Sequence, residues 1–350
     1  MLIEHLQYYC CPITQENLEL SILKKSTKTL DGIVFEIIEE GILTTNICFY
    51  PIINGIPRLI VEAIYDYRNF LLTHVEDFEV KEKIFFDTHK KIIDEAIQKN
   101  KKTKESFKLE WKFFDYEKDK TWNAAPAKML DRFLKETNEK KYNLAEKLIL
   151  DVGCGNGLLD GLIANENATV IGFDFSLSIE KAFEQNTHSK VIFLQADVQH
   201  PPFKKNIFDI VQASGILIHT NNTAHSFNCL TTLVKPNGKL SCWLYHPRKN
   251  FIHNTFNFIR KYSSKLPLKL QIVLYAIFLF PISFSIKKLK GNQQNWSEMM
   301  VDILDWMTPE FRWEHTPEEV IHWFLNNNFS DVKVTTKELF GFNIIGRKIV

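Results

Sequence analysis

A chain of 350 residues, 45% hydrophobic and 24% charged, is long enough to bury a substantial core, and its composition excludes a disordered, fibrous or peptide-sized module. The 43 Lys and Arg nearly cancel the 42 Asp and Glu, and a formal charge of +1 excludes a chain-wide electrostatic footprint for nucleic acid. Six scattered cysteines, with no basic-then-apolar leader at the start, point to a reduced, cytoplasmic protein.

In chain order, residues 1–62 read as a small β-rich unit, with strands at 34–38 and 46–50 and a turn at Asn54-Gly55. Residues 63–145 carry Lys, Glu and Phe at helical spacings and are expected to form a helical lid or linker. Within it the lysine-rich stretch 81–108 reads as a solvated helix face, and Trp111, Phe113, Phe114 and Trp122 as core packing or part of the lid. The remainder, 146–350, alternates strand and helix: strands at 147–152, 169–173, 190–194, 208–213 and 239–245, and helices at 158–165, 178–185 and 223–233. That alternation is the signature of a doubly wound α/β sheet. It is interrupted at about 248–300 by an apolar helical insert and resumes with a helix at 317–327, capped by Thr316, and an antiparallel pair of strands at 331–336 and 341–348.

The chemistry gathers at the carboxyl ends of successive strands. Asp151-Val152-Gly153-Cys154-Gly155-Asn156-Gly157 follows an apolar strand and precedes a helix, where glycines let backbone amides approach a ligand. A dinucleotide fingerprint requires a glycine where Leu158 stands. Asp174, followed by Phe175 and Ser176, closes the second strand, where a carboxylate can accept two ribose hydroxyls. Asp197 and Val198 close the third, suited to an adenine amino group, and Gly215 follows the fourth.

These motifs, with Gly172-Phe173-Asp174, Phe208-Asp209-Ile210-Val211 and Leu233-Val234-Lys235-Pro236-Asn237-Gly238-Lys239-Leu240, resemble the class I S-adenosylmethionine-dependent methyltransferases over residues 145–246. The resemblance implies a Rossmann-like, seven-stranded doubly wound sheet, with S-adenosylmethionine as cofactor. Its methionine part would lie near Asp151, Gly153 and Gly155, its ribose on Asp174 and its adenine by Asp197 and Val198. Asp209 would be structural. Cys11-Pro12-Ile13-Thr14 and the segment from Tyr50 to Leu59 resemble the zinc-ribbon-like methyltransferase activators, with Thr14 in place of a cysteine ligand, so no metal is expected.

Three histidines stand as candidate bases. His219 follows the fourth strand and either takes a proton from the acceptor or hydrogen-bonds the loop; His246 and His315 lie near it in the chain pattern. The expected reaction is methylation of a hydroxyl on a sugar, polyketide, quinone or lipid-linked metabolite, with RNA or protein methylation and a silent scaffold as alternatives. The segment 270–282 is expected to be a buried helix. No uninterrupted apolar run reaches the roughly 20 residues that span a bilayer. The lysines flanking 266–290 nevertheless suit anionic headgroups, giving peripheral contact at the inner face of a membrane as a further expectation.

Overall fold

The computed structural model describes residues 1–113, 126–248, 251–289, 291–292 and 294–349. Phe114 and Trp122, and the side chains of Trp111 and Phe113, lie outside what is described.

The chain opens with a long hairpin, β1 (Glu19–Leu30) and β2 (Ile33–Thr44), and a short one, β3 (Phe49–Ile53) and β4 (Ile56–Leu59). Each turns on a pair at positive φ, Asp31-Gly32 and Asn54-Gly55, the two-residue geometry that matches strand twist. The Asn54-Gly55 turn sits where the sequence places it. The first hairpin is far longer than the expected strand 34–38, because β1 is exposed along most of its length and carries no apolar alternation. The expected strand 46–50 begins instead at Phe49.

Helices α1 (Ala63–Asp66), α2 (Arg68–His74), α3 (Phe78–Phe113) and α4 (Pro126–Glu136) follow. The α/β alternation then runs β5 (Leu148–Val152), α5 (Leu158–Ala164), β6 (Thr169–Asp174), α6 (Ser178–Gln185), β7 (Val191–Ala196), β8 (Phe208–Ser214), α7 (Thr223–Thr231) and β9 (Val234–Tyr245). β9 starts five residues before the expected 239, since the Pro236-Asn237-Gly238 signal marks an irregularity inside the strand rather than its boundary. The insert contributes α8 (Phe251–Ser263), α9 (Leu268–Leu274), α10 (Phe280–Leu289) and α11 (Trp296–Met307). The chain closes with α12 (Pro317–Asn326), β10 (Phe329–Lys337) and β11 (Gly341–Lys348).

All eleven strands join one sheet in the order β1-β2-β3-β4-β7-β6-β5-β8-β9-β11-β10. The seven strands from β7 to β10 are the doubly wound unit, parallel except for the terminal hairpin. Strand order reverses between the parallel strands β5 and β8, which opens a crevice at the carboxyl ends of those strands. Asp209 is structural, as expected: its Oδ2 accepts the Leu148 N–H at 2.9 Å at the mouth of β5.

The amino-terminal hairpins extend this sheet, because β4 pairs in parallel with β7, Arg58 opposite Gln195 and Leu59 opposite Ala196. The buried Arg58 guanidinium pairs with Glu180 of α6 at 2.9 Å and lies over the Tyr67 ring. The Tyr67 hydroxyl donates to Gln195 at 2.6 Å.

The insert departs from expectation. α9 and α10 form one continuous helix, Leu268–Leu289, of 22 residues, long and apolar enough by length and composition to cross a membrane, with only 11% of its most apolar stretch buried. A wide π turn, Tyr275–Leu279, precedes Pro281 and carries the helix through a residue that ordinarily breaks it. The sequence counts Pro281 and the flanking polar residues as interruptions, so it reads this segment as too short to span and as a buried helix.

Gly55 sits at φ +79°, and a Cβ there would lie 2.6 Å from Phe183 Cζ of α6. Gly55→Ala is expected to cost about 1–3 kcal/mol in a denaturant melt through backbone strain and that clash. An unchanged midpoint would show that the hairpin does not seat on α6.

Candidate functional site

The glycine loop is fixed from below by β6. Gly153, at φ +74°, and Cys154 both donate their N–H groups to the Phe173 carbonyl, at 2.8 and 3.1 Å. A Cβ on Gly153 would run into the Ile216 side chain, so only glycine lets the turn after β8 lie on the loop. That turn begins at Gly215, whose N–H donates to the Trp243 carbonyl at 3.1 Å. Gly157 caps α5 from a left-handed conformation. The loop reaches β6 again at its far side: Gly155 N–H donates to Asp174 Oδ2 at 3.1 Å, while Asp174 Oδ1 accepts Ser176 N–H and Oγ–H at 2.7 and 2.8 Å. The Phe175 carbonyl accepts Gln195 Nε2 at 3.0 Å. The structure thus brings Asp151, Gly153, Cys154, Gly155, Gly157, Asp174, Phe175, Ser176 and Gly215 to one crevice.

Among the described residues this crevice is short of positive charge. Burial first, then the charges of Asp174 and Glu136, push the Asp151 carboxyl up to about 7. Burial raises Asp174 despite its hydrogen bonds to Ser176 and Gly155, and raises Glu136 despite its pairing with Arg132 at 2.7 Å. Asp160 of α5, fully buried, is driven well above the usual carboxylate range by burial and by Asp151. Neither of its oxygens has a hydrogen-bond partner among the described residues. The sequence gives no signal for Asp160, one acid in the first turn of a helix, where acids are ordinarily exposed.

At the next strand end, the Asp197 carboxylate is already engaged. Its Oδ2 accepts Lys99 Nζ of α3 at 2.9 Å and Asn100 Nδ2 at 3.4 Å, and its Oδ1 accepts the Gln199 N–H at 2.9 Å. Burial works against its charge but is outweighed by His200, Lys99 and Gln199, which hold it well below the usual carboxylate range. Val198 beside it is buried. Lys99 corrects the reading of 81–108 as a solvated face: its side chain is 13% exposed, because α3 lies against this strand end.

On the other side of the crevice, His219 is buried in the turn after β8, and its Nδ1–H donates to the Phe311 carbonyl at 3.0 Å. That bond fixes the tautomer and leaves the acceptor lone pair on Nε2. Burial, then Arg312 and Arg260, lower its pKa to about 4, so the ring is neutral at physiological pH. Its ring meets Tyr245 edge-on at 6.1 Å. Arg312 stacks over Tyr245 at 4.2 Å and Trp306 at 5.2 Å, and donates to Glu314 at 2.6 Å. Glu314 also accepts His253 Nε2 at 2.7 Å. Arg260 donates instead to the Pro309 and Arg312 carbonyls, at 2.8 and 3.4 Å, and the Nε of Arg312, the Nε of Arg260 and the Nδ1 of His253 are buried with no partner among the described residues. Sequence reasoning missed Arg312 and Arg260, which carry no motif; the aromatic run around Arg312 is the one signal present.

The other two histidines are engaged elsewhere. His315 Nδ1 meets Glu319 at 2.9 Å, and its ring packs on Trp323, beside the helix cap that Thr316 provides. His246 faces the Pro247 and Glu338 carbonyls at 3.1 and 3.3 Å. In the amino-terminal unit, Cys11 Sγ lies 3.1 Å from the Tyr50 hydroxyl and accepts the Thr14 N–H at 3.3 Å. Among the described residues no group of three or more His, Cys, Asp or Glu is arranged to hold a metal ion.

The residues fit S-adenosylmethionine. A loop with glycines at 153, 155 and 157 gives backbone access, and a buried carboxylate cluster in which Arg132 pairs with Glu136 suits a cofactor that carries an ammonium and a sulfonium.

Residues 150–242 match the family model described as a methyltransferase domain. Two curated relatives are ubiquinone biosynthesis O-methyltransferases. The Vibrio parahaemolyticus protein is 32% identical over 104 residues, 29% of this chain and 44% of that one. The Coxiella burnetii protein is 29% identical over 136 residues, 37% of this chain and 58% of that one. The chain therefore spans about half the length of the curated relatives it matches. Among solved structures, magnesium protoporphyrin IX methyltransferase from Synechocystis PCC 6803 with bound SAH aligns with TM-score 0.37 at 16% identity, covering 64% of this chain and 81% of that one.

A cationic cofactor binds the ionised form of Asp151 best, and that form is the minority below its pKa of about 7. Calorimetric affinity for S-adenosylmethionine is expected to rise roughly tenfold between pH 6 and pH 8. Asp151→Asn should flatten that rise; an identical profile in the variant would remove Asp151 from the binding site. For the apo protein the sign reverses. A raised carboxyl pKa stabilises the fold fully below the unfolded value near 4, and this contribution is lost as pH rises toward 7.

Proposed function

We propose that the chain transfers the methyl group of S-adenosylmethionine to a hydroxyl oxygen of a small molecule, with a phenolic quinone precursor as the class that the curated relatives favour. The observation that carries this reading is the seating of Ile216 on Gly153, which sets the His219 turn directly against the glycine loop. A base and a donor loop in contact are what transfer to a hydroxyl needs.

When bound, S-adenosylmethionine supplies a methyl group already activated by its sulfonium, so the protein's task is alignment and proton removal. Gly153, Gly155, Asp151 and Asp174 would hold it. His219 Nε2, unprotonated because Nδ1–H is committed to the Phe311 carbonyl, takes the acceptor's proton. Arg312 and Arg260 make imidazolium costly, which keeps the base neutral at the expense of its strength. An acidic substituent on the acceptor would add counter-charge beside these two guanidiniums, whose Nε atoms have no partner among the described residues, and raise the basicity of His219. Tyr245 and Trp306, stacked with Arg312, offer flat surfaces for an aromatic ring.

The amino-terminal unit is read as a metal-free form of the zinc-ribbon-like activators, fused to the enzyme it supports. What favours this is the hydrogen-bonded pair Cys11 and Cys48, with Tyr50 and Thr14 completing the group around the sulfurs.

His219→Ala is expected to lower kcat by about 10²–10⁴-fold with S-adenosylmethionine affinity unchanged. In the wild type at saturating S-adenosylmethionine, kcat/KM for the acceptor should hold steady down to pH 5 and fall only as pH approaches about 4, where the base becomes protonated. Full turnover by the variant would remove His219 from proton transfer.

A further inference from the structure

The insert presents a surface that neither the cofactor crevice nor the acceptor side uses. Along Leu268–Leu289, the side chains of Val273, Ile277, Phe278 and Ile282 are each more than half exposed, and Leu289 is 88% exposed. α8 adds Phe258 and Tyr262, whose rings meet at 5.1 Å and are also mostly exposed. A monomeric protein rarely leaves a contiguous apolar surface of this extent in water.

Its charge is as unusual as its polarity. No Asp or Glu occurs between Asp209 and Glu298, while nine Lys and Arg fall between Arg248 and Lys290, in a chain whose overall charge is +1. Exposed lysines bracket the apolar helix, Lys261 and Lys265 before it, Lys269 in its first turn and Lys288 near its end.

The helix does not cross. Near its start, the Tyr275 hydroxyl lies 2.7 Å from Ser263 Oγ and 3.3 Å from the Met307 carbonyl. Near its end, Lys287 pairs with Asp302 and donates to Gln294 at 3.1 Å, and Lys288 donates to the Gln294 carbonyl at 3.0 Å. Both ends are therefore fixed to α11 and its approach, and one face packs on Met300, Leu304 and Met307. A spanning helix has its flanks on opposite sides of about 30 Å of hydrocarbon. This one is laid along the protein with its other face outward.

We propose that residues 251–289 dock the protein on an anionic lipid bilayer, the apolar face of Leu268–Leu289 entering the headgroup and acyl boundary while the bracketing lysines meet acidic headgroups. The occupant is a bilayer rather than a second copy of the chain. A matching patch would set the same excess of cations against itself, whereas an acidic lipid surface complements it. The inference stands apart from the proposed reaction, since docking is read without turnover.

The test is vesicle flotation of the full chain with phosphatidylcholine alone and with phosphatidylcholine containing phosphatidylglycerol. The wild type is expected to float with the acidic vesicles and to be released by raised salt. Ile277→Glu with Phe278→Glu should weaken flotation at least tenfold, with S-adenosylmethionine binding unchanged as the control for folding. Lys265→Gln with Lys269→Gln should weaken it on acidic vesicles by several-fold, without altering an exposed apolar residue. A wild type that stays with the soluble fraction in both mixtures overturns the proposal, as does flotation indifferent to headgroup charge or undiminished in both variants. A dimer that the glutamate pair dissociates, with no vesicle binding by the wild type, overturns it in favour of a second copy.

Discussion

Negative charge buried without enough positive charge to balance it sets the terms at the centre of this molecule. Asp151, Asp160, Asp174 and Glu136 converge where β5 and β6 end, and among the described residues Arg132 is the cation paired to the group. Each burial raises the cost of the next ionisation, so the protein carries protons there that free carboxylic acids would have lost. Such an arrangement is tolerated in a fold when something cationic repays it. The glycine loop, fixed by two hydrogen bonds to Phe173 and one to Asp174, brings backbone amides and this acidic floor to the same place.

Across the crevice the imbalance has the opposite sign. Arg312 pairs with Glu314, Arg260 adds a second cation nearby, and His219 is lowered by burial first and then by these two charges. The two halves of the crevice are therefore polarised, acidic under the glycine loop and basic around His219. Sheet topology produces this polarity: the switch between β5 and β8 puts the ends of adjacent strands on opposite walls of one opening.

Much of this was legible in the sequence, and the reasons for the exceptions are specific. Short apolar strands ending in glycine or aspartate announce themselves, which is why β5 to β8 and the residues at their ends fall close to where the pattern puts them. β1 could not be read, because a strand exposed on both faces has no reason to alternate. Lys99 was hidden by its neighbours, in a run of lysines that are mostly solvated; its difference lies in what α3 packs against. Arg312 and Asp160 are isolated letters whose meaning comes from tertiary burial. The insert was misjudged for another reason: composition measures how apolar a helix is, and only packing tells which side of it is covered.

The pairing of β4 with β7 has one more consequence. A doubly wound sheet that stopped at β7 would leave a fully buried, apolar strand with a row of unmet amides and carbonyls, an open template for any other extended chain. The two amino-terminal hairpins move that border outward by four strands, to β1. β1 is mostly exposed and carries Lys24 and Lys25, paired with Glu39 and Glu36, and a strand trying to add there would have to lie beside these solvated ion pairs. The small unit at the start of the chain thus ends the sheet safely, and the enzyme's most aggregation-prone edge is never offered to solvent.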